Sequence, residues 1–178
     1  MLQQTIHSSS PSTLCAAEDE TLVDALKSAM RQLASGVAVV TTSHCDAWHG
    51  MTATSLTSLS MEPPSMLVCI NREATIHSPL MEAGTICVNL LSSAQEDVCA
   101  LFASKSRRQE RFKDGSWQSG PMQLPYHPEA RASIFCTIDA VHVFGTHSVF
   151  FAKVHHVKYA RSNHSAPMIY LDGRFIEA

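Results

Sequence analysis

Val37-Ala38-Val39-Val40-Thr41-Thr42 is the stretch at which the chain changes character. Before it, Leu22, Leu26, Met30 and Leu33 recur at helical spacing. Thr21 stands where a cap belongs, Asp24 follows three residues on, and Gly36 lies past the end, so the pattern predicts a helix over 21–34. From Val37 the period falls to two and β-branched residues take over, which reads as a strand over 37–42. Residues 44–49 are polar and predict a hairpin loop. Extended segments follow at 51–60, closed by Pro63-Pro64, and at 66–71. Residues 74–82 predict a short helical turn with Gly84 beyond it, and 85–90 a further strand. Ser92 and Gln95 form a capping box for a helix carrying Val98, Leu101 and Phe102. The polar run 105–123, with Gly115, Gly120 and Pro121, predicts a long surface excursion. Strands at 132–143, 146–159 and 168–171 complete the list. Helices come singly and no internal repeat occurs. The pattern predicts a mainly β fold, a closed or partly closed barrel with helices packed outside, and not a doubly wound sheet.

A length of 178 residues fits one domain. Residues 1–20, rich in Ser, Thr and Gln, are expected to form a disordered or loosely attached tail, and 21–178 the domain. Apolar residues make up 45% and charged residues only 16%, below the usual quarter, so part of the surface is expected to be buried in an oligomer. A net charge of −3 with 13 basic residues leaves no electrostatic footprint for nucleic acid. No apolar run approaches the ~18 residues of a membrane helix. Residues 1–17 lack the basic and apolar regions of a secretory signal, so the expected location is cytoplasmic and the six cysteines are expected to be reduced. Cys69, Cys87 and Cys136 sit in apolar runs and Cys99 in a helical pattern, as small hydrophobes would.

Gly50-Met51-Thr52-Ala53-Thr54-Ser55-Leu56-Thr57-Ser58-Leu59-Ser60 is the oddest segment. In one extended strand Thr52, Thr54, Ser58 and Ser60 share a face. Such a row is either a solvent-facing polar strand or a wall that offers neutral hydrogen bonds to a ligand, and composition favours the first. Asn71-Arg72 leads into a helical turn whose free N–H groups favour an anion, with Arg72, Thr75 and His77 as further donors; the alternative is an ordinary connection with a capping Thr. His147 opens a strand, where a lone His is usually structural. His44, Cys45, Asp46 and His49 match no trusted metal spacing, so no metal site is expected. The absence of GxGxxG, a P-loop and GxSxG speaks against dinucleotide, triphosphate and Ser-hydrolase sites.

An ordered set of segments adds to this reading. It runs from Gly36-Val37-Ala38-Val39-Val40-Thr41-Thr42 through Gly50-Met51-Thr52-Ala53-Thr54-Ser55, Pro63-Pro64 and Leu67-Val68-Cys69-Ile70-Asn71-Arg72. It continues with Cys87-Val88-Asn89-Leu90-Leu91, Glu110-Arg111-Phe112, Trp117, Gly145-Thr146-His147, Pro167-Met168-Ile169-Tyr170 and Gly173-Arg174-Phe175. Over about residues 22–176 the chain resembles the short-chain flavin reductases, the reductase components of two-component flavin-dependent monooxygenases. The likeness is strongest to the 4-hydroxyphenylacetate 3-monooxygenase reductase and the pyrimidine-degradation flavin reductase.

The resemblance implies an FMN-binding split β-barrel, a homodimer, and reduction of free FMN or FAD by NADH or NADPH. The reduced flavin is then expected to diffuse to a separate oxygenase. It implies that Thr52, Ala53, Thr54, Ser55 and Ser58 line the ring and ribityl chain, and that Asn71, Arg72, Thr75 and His77 surround the phosphate. It places His147 by the reactive face as the catalytic candidate, and Arg174 and Phe175 as residues that close the site. Hydride transfer needs no protein nucleophile, only alignment of donor and acceptor at about 3–3.5 Å and donors at the flavin edge that gains charge. The sequence departs from the family at Ala130-Arg131-Ala132-Ser133-Ile134-Phe135-Cys136, where an Ala-rich turn is usual, and in its longer N-terminal tail. The competing readings are a non-catalytic flavin- or heme-binding split barrel and, lower, a pyridoxine-phosphate-oxidase-like enzyme, which needs more basic residues than this chain has.

Overall fold

A computed structural model describes residues 15–160 and 166–176, with side chains from Thr21 onward. Of the tail expected over 1–20, residues 1–14 lie outside the described residues and 15–20 are helical instead. The helix α1 (Cys15–Arg31) starts earlier than expected and ends sooner. Ala16, Ala17, Glu18 and Glu20 are strong helix formers and carry it through Thr21, which sits inside the helix rather than at its cap.

The strands are β1 (Ser35–Gly36), β2 (Ala38–His44), β3 (Ala47–Ala53), β4 (Leu56–Met61), β5 (Pro64–Asn71), β6 (Thr85–Leu90), β7 (Gln118–Ser119), β8 (Pro125–Tyr126), β9 (Ala132–Phe144), β10 (His147–Tyr159), β11 (Ile169–Leu171) and β12 (Arg174–Ile176). Helices α2 (His77–Ala83) and α3 (Glu96–Ala103) complete the framework. The hairpin between β2 and β3 is tighter than expected. Only Cys45 and Asp46 turn, both left-handed at φ 49° and 57°, the geometry that matches the twist of two antiparallel strands.

The extended segment expected over 51–60 is two strands, not one. β3 and β4 follow each other in the chain yet occupy opposite edges of a seven-stranded antiparallel sheet, ordered β3-β2-β6-β9-β10-β5-β4. Only Thr54 and Ser55 join them. The sheet must therefore curl until its edges meet, and the chain itself, rather than a ladder of hydrogen bonds, makes the closure. Ser55 ties the crossing to β5, since its carbonyl accepts the Cys69 N–H at 2.9 Å. A second small sheet, β1-β11-β12, lies beside it.

β2 is buried on both faces. Ala38 and Val40 point into the barrel with Val68, Ile70, Ile86, Val88, Cys136 and Phe150. Val37 and Val39 point outward into a second core with Phe102, Trp117 and Met168. The run 105–123 is thus less of a surface excursion than its polarity predicts. It delivers Trp117, 6% exposed, to that outer core with Phe112 beside it. Burial pushes the Cys136 thiol up to about 12 and the Cys87 thiol higher still. Cys87, Cys99 and Cys136 are buried as expected, whereas Cys69 is half-buried and Cys45 exposed. Among the described residues no helix is long and apolar enough to cross a membrane.

One buried polar chain links the outer helix to the barrel. The capping box forms as expected, with Gln95 Oε1 accepting the Ser92 N–H at 3.0 Å. Gln95 Nε2 meets His127 Nδ1 at 3.1 Å, and the same nitrogen accepts the Glu129 N–H. Asn89 donates to the Val39 carbonyl and accepts from the His127 N–H and the Ser133 hydroxyl. A His127 nitrogen that accepts cannot carry a proton. Burial holds this histidine below its ordinary 6.5, against the opposing pull of Asp114 and Glu129. The unfolded chain then takes the proton more readily, so stability is full above about pH 6.5 and falls as the pH drops below it. His77 and His49 act in the same direction. Urea midpoints measured at about pH 7.5 and about pH 5 should fall in acid, and His127→Gln should make that fall shallower. An equally steep fall in the variant would remove His127 as a cause.

Candidate functional site

Two cavities border the segment that makes the crossing. One, of about 900 Å³, is lined by Thr54, Ser55, Leu56, Thr57, Leu67 and Cys69, with Tyr170, Asp172 and Gly173 from β11 and the turn after it, Lys27, Met30 and Arg31 from the end of α1, and Leu33 just past it. Its barrel side carries no charge. The other, of about 350 Å³, is lined by Met51, Thr52, Glu73, Ala74 and Thr75, and by Lys105, Ser106, Arg108 and Arg111, so its cations outnumber its one carboxylate. Thr52 and Thr54, one in each lining, are two residues apart, roughly 7 Å along an extended chain.

The expected wall residues divide accordingly. Thr52 is half-buried in the smaller cavity, and its hydroxyl donates to the Cys99 carbonyl of α3 at 2.7 Å. With its hydrogen committed, the oxygen keeps only acceptor capacity. Ala53 is in the barrel core, opposite Ala38. Thr54 and Ser55 line the larger cavity, while Ser58 is exposed on β4 just before a bulge and lines neither. The single row of hydroxyls is absent because the chain leaves one sheet edge for the other between Ala53 and Leu56.

The turn after β5 is more self-contained than expected. The N–H groups of Arg72, Glu73, Ala74 and His77 are taken by Thr146 O, Asn71 Oδ1, Asn71 O and Ala74 O. Thr75 lines the smaller cavity, and Arg72 is exposed near the turn. The His77 ring turns inward to the buried Ser148 hydroxyl at 2.8 Å and packs edge-on against Phe150. Burial first, and Arg72 second, hold it below its ordinary value, so it is neutral. His147 is exposed at the start of β10, opposite Asn71, and its Nδ1 lies 2.9 Å from Thr146 Oγ1. It lines neither cavity. Arg174 and Phe175 are exposed on β12, and Phe175 packs on Tyr170 at the rim of the larger space.

Positive charge arrives from an unexpected direction. Lys105 and Arg108 belong to the run read as a surface excursion, yet both line the smaller cavity. No carboxylate pairs with either among the described residues. Their spacing carries no periodic signal; the only clue in the sequence is the density of basic residues over 105–111.

Residues 30–178 match the flavin reductase like domain family. The chain belongs to this family. It is 38% identical over 130 residues to an FMN reductase (NADH), RutF, of Pseudomonas syringae pv. syringae strain B728a, which covers 73% of each chain. It is also 38% identical over 130 residues to the reductase component of an FADH(2)-dependent resorcinol hydroxylase of Rhizobium sp. strain MTP-10005, covering 73% of this chain and 72% of that one. Among solved structures, the NADH:FAD oxidoreductase SgcE6 of Streptomyces globisporus C-1027, in complex with NAD and FAD fragments, superposes with TM-score 0.79 at 29% identity, covering 90% of this chain and 93% of that one. BorF, the flavin reductase component of a bacterial two-component tryptophan halogenase, gives TM-score 0.79 at 30% identity, covering 87% and 97%. The split-barrel expectation therefore holds.

In this flavin reductase the smaller cavity depends on Gly50. A Cβ there would sit 2.7 Å from Phe102 Cε1 and 3.1 Å from Phe112 Cζ. Phe102 is 1% exposed and cannot yield. Gly50→Ala should destabilise the fold by about 1–3 kcal/mol in urea unfolding. Gly36→Ala is the control, because nothing lies within 4 Å of that added methyl. Equal midpoints for the two variants would refute the close packing.

Proposed function

We infer that the chain is an NAD(P)H:flavin oxidoreductase. It reduces free FMN or FAD by hydride transfer to flavin N5 and supplies the reduced flavin to a partner monooxygenase. The observation that carries this reading is the pair of cavities bordering residues 52–55. One is walled on its barrel side by hydroxyls and apolar groups, with Lys27, Arg31 and Asp172 elsewhere on its lining. In the other, Lys105, Arg108 and Arg111 outnumber Glu73. A flavin has the same two-part make-up, a flat uncharged ring and an anionic phosphate. The volumes, about 900 and about 350 Å³, fall in the range expected of small-molecule sites.

The cofactors supply the redox chemistry, a hydride passing from reduced nicotinamide to flavin. The chain's task is to bind, orient and exclude water. Thr54 and Ser55 border the ring from the crossing, with Ala53 as the spacer that keeps the barrel behind them closed. Ser58 serves at the outer margin. Thr52 offers an acceptor suited to a ribityl hydroxyl. Thr75 meets the phosphate end together with Arg72 and Asn71 at the rim, and His77 stiffens the turn from behind through Ser148. Arg174 and Phe175 cover the larger space from the small sheet. His147, exposed and held by Thr146, orients the nicotinamide.

Neutral hydroxyls along the ring suit a flavin that leaves by diffusion after each cycle. A homodimer suits α1, whose Leu22, Leu26 and Met30 are all at least half exposed at helical spacing, with Leu33 exposed just past its end. Five described cysteines, all free thiols, suit the cytoplasm.

The deciding measurement is consumption of NADH and of NADPH by the purified protein, with and without FMN and FAD. Oxidation that requires added flavin is expected. Flavin binding with no consumption above the uncatalysed rate would leave a binding protein in its place. Within the enzyme, His147→Ala should lower kcat more than it weakens flavin. Weakened flavin at unchanged kcat would take the nicotinamide role away from His147.

A further inference from the structure

We propose that Arg111 is a positioning residue for flavin binding, the latch that holds the lip 104–111 of the smaller cavity against β3. The proposal rests on the reading of that cavity as the phosphate end.

Arg111 lines the cavity, yet its donors are spent elsewhere. Nη1 donates to the Gly50 carbonyl of β3. Nη2 donates to the carbonyls of Phe102 and Ser104, each at 2.8 Å, and Nε to that of Leu101 at 3.4 Å. Four of the five N–H groups of a guanidinium thus end on main-chain oxygen. Three of those oxygens belong to the last turn of α3 and its exit, where carbonyls have no helical partner. The guanidinium also lies 5.4 Å from the centre of the Phe102 ring. No carboxylate pairs with it among the described residues. A half-buried cation with no counter-ion, fully engaged in joining two elements, is a builder rather than a ligand contact.

What it builds is the lip. Lys105, Ser106, Arg108 and Gln109 line the cavity between Ser104, which Arg111 holds, and Arg111 itself. The next residue, Phe112, takes a left-handed φ of 65°, a strained conformation for a bulky side chain, and packs edge-on against Phe102, Trp117 and Trp48. Both ends of the lip are therefore pinned while its cations stay at the opening. Gly50 and Thr52 share a face of β3, so the contacts of Gly50 with Arg111 and of Thr52 with Cys99 are successive rungs from the strand to α3. Losing the first rung frees the lip and loosens the second.

A planar fork fills several fixed acceptors at once, whereas an ammonium is a point charge on a flexible stem. Arg111→Lys keeps the charge and loses the fork. FMN and riboflavin dissociation constants, read by quenching of flavin fluorescence, test the idea, because only FMN carries a phosphate for the lip. FMN should weaken about tenfold and riboflavin less than about threefold, with kcat at saturating flavin nearly kept. A purely structural Arg111 would lower Tm, or weaken both flavins alike, and leave the FMN-to-riboflavin ratio unchanged; that outcome overturns the proposal. If Arg111→Lys does not fold, Arg108→Ala, an exposed change on the same lip, decides. A fallen ratio supports the lip as the element being positioned, and an unchanged one overturns the proposal, since a lip that touches no ligand has nothing to position. A wild-type protein that binds neither flavin sinks the functional reading instead.

Discussion

Two residues, Thr54 and Ser55, carry the chain from one edge of a seven-stranded sheet to the other. That short covalent span is the constraint from which the rest follows. The edges of an antiparallel sheet carry unpaired donors and acceptors, and a barrel normally removes them by pairing. Here the edges are brought together but left unladdered at the crossing, so a strip of main chain and hydroxyls stays open beside a closed core. The two cavities border that gap, one walled on its barrel side by hydroxyls and apolar groups and the other by the cations of the run 105–111.

The barrel was legible from periodicity because its signals are local. Residues 37–42, 85–90 and the long strands after Ala130 alternate or run apolar, and Ser92 with Gln95 announces α3 by a pattern three residues wide. The division of 51–60 was not legible. Its residues favour extension throughout, and nothing local says that the two halves pair with strands on opposite edges. α1 ran past Thr21 for a related reason: a capping residue is only a preference, and helix-forming neighbours outvote it.

The site was partly legible. Thr52, Thr54 and Ser55 stood out as an unusual density of hydroxyls, and the structure sets them along the two cavities. His77 was singled out for its place after a strand, but a sequence cannot tell an imidazole facing a ligand from one hydrogen-bonded to a buried Ser148. The basic lip was missed because its cations look like any solvated run. Only the return of the chain through Arg111, Phe112 and Trp117 turns that run toward the barrel, and this return depends on contacts distant in sequence. The family likeness included Glu110-Arg111-Phe112 without giving it a task; the geometry supplies one.

The placement of sulfur in the barrel wall has a chemical consequence. A flavin reductase makes reduced flavin, and reduced flavin in contact with oxygen yields peroxide. Peroxide attacks thiolates, not thiols. Cys136, pushed up to about 12, and Cys87 beyond it stay protonated at any cellular pH. The packed core is thereby spared, and among the described residues the thiols an oxidant can reach are Cys45, exposed at the hairpin tip, and Cys69, half-buried in the wall of the larger cavity.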